Sequence, residues 1–156
     1  MNIRRAEKKD TGKILKLLGE VLEIHSKIRP DIFISGTTKY TENQLAEKFN
    51  DDKKPVFVAT DDNDEVLGYV FCIFLEQPFS TNMHQFTTLF IDDLCVDQNA
   101  RGRQIGKKLY QHVLKFAKEK GCYDVTLNVW EGNDNARAFY EKMGMFVKET
   151  QMEVIL

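Results

Sequence analysis

One run of fifteen residues, Asp92 to Gly106, constrains this chain more than any other. It reads Asp-Asp-Leu-Cys-Val-Asp-Gln-Asn-Ala-Arg-Gly-Arg-Gln-Ile-Gly. An apolar strand carrying two adjacent carboxylates runs into a polar loop, and the loop opens onto an amphipathic helix. The free N–H groups at a helix start attract phosphate, and the helix dipole adds to that pull. Arg101, Arg103, Lys107 and Lys108 bring formal charge to the same place. A strand, a phosphate cradle and carboxylates within one segment suggest an enzyme that holds a phosphorylated cofactor beside an acid–base group.

The rest of the chain frames that segment. Its 156 residues suit one domain with a sizeable core, spanning 1–156. A formal net charge of −2 gives no global field for nucleic acid, so the basic loop is a local feature. Met1-Asn2-Ile3-Arg4-Arg5 lacks the apolar core of a signal peptide. The longest apolar run, Val66 to Leu75, is broken by Gly68 and is too short to span a bilayer. Cys72, Cys95 and Cys122 have no metal-site or disulfide spacing, and a reduced, cytoplasmic protein is the expectation.

Periodicity predicts the order βααβββαβαβ(β). Ile3 to Ala6 reads as a short strand. Asp10 is placed to cap a helix with Ile14, Leu17, Leu18, Val21 and Leu22 on one face, ended by Pro30 at the latest. A second helix runs from about Thr41 to Asn50. Val56–Thr60 and Val66–Glu76 read as a hairpin about the acidic turn Asp61 to Asp64. That turn resembles the start of a calcium loop, but Val66 stands where the loop needs glycine. Gln77 to Gln85 is a loop and Thr87 to Val96 a third strand. A helix follows from roughly Gly102 to Lys120, with Gly121 placed to end it. Val125, Leu127 and Val129 alternate with Thr126, Asn128 and Trp130 as a half-buried strand. Asn133 or Asp134 caps a last helix through Met143, and Met145 to Leu156 reads as one or two further strands.

This order and these residues resemble the GNAT superfamily of acyl-CoA N-acyltransferases over nearly the whole chain, most strongly from Ile91 to Phe146. The family's phosphate loop is Gln/Arg-x-x-Gly-x-Gly/Ala. Here Arg101-Gly102-Arg103-Gln104-Ile105-Gly106 matches at Arg101 and Gly106, with Gln104 in place of the first glycine. Gln104 must reach the required backbone shape with a Cβ present. Asn133-x-x-Ala136-x-x-Phe139-Tyr140-x-x-x-Gly144 matches the family's pattern for the helix after the fifth main strand. Ile91-Asp92-Asp93-Leu94 resembles the acidic pair of several polyamine and small-amine acetyltransferases. The fold implied is α/β (α+β): a mixed, mostly antiparallel sheet flanked by helices on both faces.

The resemblance implies transfer of an acetyl group from acetyl-CoA to a primary amine by direct attack, with no metal. It implies cofactor contacts from Leu94, Cys95, Val96, Arg101, Gly102, Arg103, Gln104, Ile105, Gly106, Lys107, Asn133, Ala136, Phe139 and Tyr140. An alkyl amine is protonated at neutral pH and must lose a proton before it attacks, and a carboxylate can take that proton. Asp92 is the first candidate and Asp93 the second. Neighbours on a strand point to opposite faces, so at most one of the pair is expected to face a given cleft. Either acid could instead cap an N–H or pair with an arginine. A thiolate departs as the acyl group moves, and Tyr140 holds the family position of its proton donor. Tyr140 could equally be an amphipathic core residue beside Ala136 and Met143. A backbone donor for the developing oxyanion is expected near Leu94 to Val96, where strands of this family splay.

Other readings compete. Gly102 and Gly106 are too close for a nucleotide P-loop, and Lys108 replaces its hydroxyl. Cys95 could carry an acyl group, although a buried strand cysteine is the simpler reading. His25 lies in the segment from His25 to Phe33, which borders the acceptor in this superfamily, or sits at a helix end. A catalytically weak module that senses acyl-CoA is the alternative to the enzyme. The acceptor is an amine on a small molecule or protein, with a cationic small molecule favoured by Asp92, Asp93 and Glu76. Neither nucleic acid nor membrane is expected as a partner. The apolar C-terminal strand Met152 to Leu156 suggests a sheet edge and a homodimer.

Overall fold

The computed structural model describes residues 1–78 and 80–156; Phe79, within the expected loop from Gln77 to Gln85, lies outside the described residues. The elements in chain order are β1 (Asn2–Arg5), α1 (Thr11–Ile28), α2 (Glu42–Lys48), β2 (Val56–Thr60), β3 (Val66–Glu76), β4 (Thr87–Val96), α3 (Ile105–Glu119), β5 (Asp124–Leu127) and α4 (Asp134–Lys142). Short 3₁₀ turns at Lys8–Asp10 and Gln98–Ala100 precede α1 and α3. Among the described residues one sheet runs β1-β2-β3-β4-β5, antiparallel except for the β4–β5 pair.

The acidic run between β2 and β3 is a hairpin turn, as expected. The Asp61 carboxylate accepts from the N–H groups of Asn63 at 2.9 Å and Glu65 at 3.0 Å. An aspartate that satisfies the backbone two residues on in this way is a local turn-former.

Alternation along the strands divides the core between the two faces of the sheet. On one face Phe57, Ala59, Val70, Cys72, Leu89 and Ile91 meet the α3 stripe of Ile105, Leu109, Val113 and Ala117. On the other Val56, Val58, Tyr69, Phe71 and Cys95 meet Ile14 and Leu17 of α1 and Leu45 of α2. This is the mixed, mostly antiparallel sheet with helices on both faces that the pattern predicts.

Four local expectations change. Asp10 does not cap α1 through its side chain. Its buried carboxylate instead accepts from the Glu7 N–H and from Arg4, each at 2.8 Å, tying the start of α1 to β1. The helix expected from Gly102 begins at Ile105, because Gly102 (φ 79°) and Gln104 (φ 59°) are left-handed, a conformation that cannot propagate a right-handed helix. The strand expected through Trp130 pairs only from Asp124 to Leu127. Met145 to Leu156 forms no strand. It leaves Phe146, Met152 and Val154 88%, 85% and 80% exposed. With no such strand beside it, the outer edge of β5 has no partner among the described residues.

Candidate active site

The site begins with a fault in the β3–β4 ladder. Phe71 pairs with Asp93 and Cys72 with Ile91, so Asp92 is an extra residue on β4. Such a bulge bends its strand and breaks the alternation of side chains. The consequence lies on both sides of β4. The β4–β5 ladder stops at Ile91–Leu127, and beyond it the two strands part. The two carboxylates, expected on opposite faces, both turn toward the α1/α2 side. Asp92 meets Lys39 of the α1–α2 connection at 3.4 Å. Asp93 accepts a 2.7 Å hydrogen bond from the hydroxyl of Tyr69, whose ring lies in the core under α1. Burial pushes the Asp93 carboxyl up to about 6, against the hydrogen bond from Tyr69. Glu76, counted with these acids from sequence, pairs with Thr87 at the far end of β4 and takes no part in the cluster.

Tyr140 reaches the site from the other face. The Asn133 side chain accepts from the Ala136 N–H at 3.3 Å and sets the start of α4. The Tyr140 ring then packs on the α3-side core, 6.3 Å from that of Tyr110. Its hydroxyl has no hydrogen-bond partner among the described residues. Its pKa is raised, first by burial and then by the charge of Asp93. Tyr140 is therefore a core residue by its ring, and its hydroxyl is held protonated within the field of the carboxylate. The two readings available from sequence are compatible.

The basic loop has the geometry that an anion cradle needs. Its Gln104 is left-handed despite its Cβ, as the motif requires. The first bond inside α3 runs from Lys108 N–H to Gln104 C=O at 3.0 Å. The N–H groups of Ile105, Gly106 and Lys107 are thus left without an intrahelical acceptor. A Cβ at Gly106 would meet the Phe139 ring at 3.4 Å and the Val96 side chain at 3.5 Å. The loop, α4 and the end of β4 therefore converge there, which brings both sequence motifs to one edge of the strand gap. The chemistry of free N–H groups beside Arg101, Arg103 and Lys107 fits the phosphates of a coenzyme A thioester.

Cys95 points away, into the core under α1, where burial pushes its thiol up to about 12. It has no thiolate with which to carry an acyl group. The segment from His25 to Phe33 does border the gap. The His25 and Phe33 rings lie 5.1 Å apart, and Phe33 stands edge-on to Trp130 at 5.4 Å. Arg29 lies over Trp130 and is held by Asp31 at 2.6 Å and Glu153 at 2.8 Å. Burial lowers the pKa of His25, and the charge of Lys39 lowers it further.

Sequence reasoning passed over Tyr69, Lys39 and Trp130 as site residues, while Phe33 fell within the segment expected to border the acceptor. Tyr69 was legible only as a buried alternating position of β3. Lys39 lies in an aperiodic connection that carries no signal of where its side chain goes.

Comparison with known proteins places the chain in a family. A model described as the Acetyltransferase (GNAT) family matches residues 19–145. A glucosamine 6-phosphate N-acetyltransferase of Arabidopsis thaliana is 29% identical over 152 residues, covering 92% of this chain and 95% of the relative. A peptidyl-lysine N-acetyltransferase of Salmonella typhimurium is 29% identical over 147 residues, covering 94% of this chain and 84% of the relative. The crystal structure of a mutant of the BH1408 protein from Bacillus halodurans superposes with a TM-score of 0.94 at 31% identity, covering 100% of this chain and 99% of that one. The family uses acetyl-CoA as co-substrate, and the relatives named for an activity are N-acetyltransferases. By its motifs, its fold and these matches, this chain is an N-acetyltransferase and belongs to the GNAT family.

Proposed function

We propose that this enzyme transfers an acetyl group from acetyl-CoA to a primary amine by direct attack, with Asp93 as base and Tyr140 as acid. The observation that carries the reading is the β4 bulge, which puts both carboxylates on one side of the strand gap while Tyr140 approaches from the other. The thioester supplies the electrophilic carbonyl and a thiol leaving group. The N–H groups of Ile105, Gly106 and Lys107 with Arg101 and Arg103 hold its phosphates. Asp97 donates its N–H to Leu67 on the β3 side at 2.9 Å. Two-residue alternation therefore turns the N–H groups of Leu94 and Val96 toward the gap, where they are placed to receive negative charge developing on oxygen.

Of the two acids, Asp93 is the better base. Its raised pKa lies closer to neutrality, where a base is both ionised and proton-hungry. Tyr69 holds it in place. Asp92, more exposed, serves the ammonium form of the acceptor as a counter-charge. The acceptor class follows the relatives only coarsely, as an amine on a small molecule or on lysine. An amine panel with acetyl-CoA, scored by release of free thiol, tests the reading. Thiol release with a primary amine supports it. Tight coenzyme binding with no release for any amine would favour the catalytically weak acyl-CoA sensor.

We also infer a homodimer. Met145 to Leu156 leaves its apolar side chains exposed beside the unpaired edge of β5. An open edge and an unpaired apolar segment are complementary between two copies.

A further inference from the structure

We propose that Lys39 is an internal acceptor: the site acetylates its own Lys39, and this frees Asp92 for a cationic substrate. The inference rests on the acetyl-transfer reading above. Three observations place Lys39 at the acceptor position. Its ammonium lies 3.4 Å from the Asp92 carboxylate, which the reading assigns to the acceptor ammonium. Its charge acts on Asp93, the proposed base, and on His25 across the same recess. The other cation of this recess, Arg29, is taken up by Asp31 and Glu153. A guanidinium is in any case too weakly acidic to lose the proton that attack requires. Lys39 is thus a primary amine held beside Asp92 and within the field of Asp93 at the mouth of the gap.

The connection that carries Lys39 also holds it there. Gly36 N–H and the Ser35 hydroxyl donate to Glu23 of α1 at 2.8 and 2.6 Å, and the Thr41–Gln44 capping box starts α2. The segment between is short, so Lys39 stays near Asp92 without a partner molecule. An acceptor pre-positioned in this way gains the large effective concentration of an intramolecular reaction.

The chemistry balances. The Lys39 ammonium gives one proton to Asp93 and attacks the acetyl carbonyl with its freed lone pair. The C–N bond forms and the C–S bond breaks. Tyr140 protonates the departing thiolate and recovers its proton from the second one that the nitrogen releases; Asp93 returns its proton to solvent. The products are an acetamide, a free thiol and one proton. The acetamide carries no charge, so the ion pair with Asp92 is lost. A substrate ammonium no longer has to compete for that carboxylate.

The purified full chain, incubated with acetyl-CoA and no added amine, tests this by intact mass and peptide mapping. One acetyl group on Lys39 is expected, formed at a rate independent of protein concentration. Lys39→Arg should not gain it, and Tyr140→Phe should gain it more slowly. Acetylation spread over exposed lysines such as Lys53 and Lys118 to the same extent as Lys39 would overturn the proposal, as would an unmodified Lys39. If added amines still release thiol in that last case, only the self-acetylation fails; if no amine does, the parent reading fails with it. A second measurement omits the coenzyme. Lys39→Gln, which imitates the acetamide, should bind n-butylamine more tightly than wild type in calorimetry, by roughly two- to fivefold, the worth of one partly exposed ion pair. Equal affinities would show that Lys39 does not occupy the ammonium position and would overturn the proposal.

Discussion

The division of labour proposed for two adjacent aspartates follows from where the bulge leaves each of them. Asp93 is held by Tyr69 and kept near pKa 6 by burial; Asp92 is left open to a cation. Asp93→Asn should lower kcat/KM by roughly 10²–10⁴-fold, the usual worth of a positioned base. It should also remove the rise in kcat/KM that wild type shows as pH passes through about 6. Asp92→Asn should act mainly on KM for a cationic amine, since it removes binding made equally in ground and transition states. Steady-state pH profiles of both variants check the assignment, and full turnover in Asp93→Asn would move the role of base elsewhere. The same burial has a cost in stability. Folding raises this carboxyl from 3.8 to about 6, so its contribution is fully present below 3.8 and lost as pH rises through about 6. Thermal melts should therefore show Asp93→Asn gaining on wild type across that interval. Tyr140→Phe keeps the packed ring and removes only the hydroxyl. Its melting temperature should hardly move while single-turnover rates fall by roughly 10²–10⁴-fold, less with a thioester of a more acidic thiol. Unchanged single turnover would remove Tyr140 as the acid.

At the scale of elements, α3 does two jobs from one sequence. Its apolar stripe anchors the sheet, and its first turn presents three free N–H groups beside the loop cations. The two jobs meet at Gly106, which lies against Phe139 and Val96 where α4 and β4 come together. Gly106→Glu would push a longer, negatively charged side chain into that junction. Wild type should gain about 2.7 kcal/mol from coenzyme A at 100 times its Kd. The variant should gain nothing, and equal thermal shifts would move the phosphate site away from this loop. Truncating the stripe should act differently. Leu109 is fully buried, so Leu109→Ala should cost roughly 2–5 kcal/mol in denaturant melts. Coenzyme should still stabilise the part of that variant that folds.

For the whole molecule, the open β5 edge and the apolar C-terminal segment are the features least suited to a lone copy in water. Arg29–Glu153 and Lys148–Asp124 tie the segment to the body through long side chains, but its backbone does not join the sheet. A second copy whose segment pairs with β5 would bury those side chains. Light scattering at micromolar concentration should give twice the 18.1 kDa of one chain. Deleting Met152 to Leu156 should return the single mass, and a monomer from the intact chain would refute the dimer.

The order of elements from β1 to α4, the two core faces and the left-handed turn of the basic loop before α3 were legible in the sequence because each rests on short-range chemistry. Helical and strand periods mark which side chains must leave water. A glycine-rich basic turn before an amphipathic helix is a local anion cradle, and the acidic turn at Asp61 closes through its own side chain. Tertiary structure decided the rest. No period in Asp92-Asp93 reveals a bulge, because a bulge is a mismatch between two strands and exists only once β3 lies beside β4. That mismatch put both acids on one face and opened the gap toward β5, while Glu76, at the far end of the neighbouring strand β3, stays out of the cluster. Lys39 came to the site through a connection without periodicity, and Trp130 from the end of an alternating run that stops pairing after Leu127; what each packs against sets its course. The C-terminal segment carries the pattern of a strand but forms none here, because its backbone does not pair with the open edge of β5 and a strand is stable only with a neighbour to complete its hydrogen bonds.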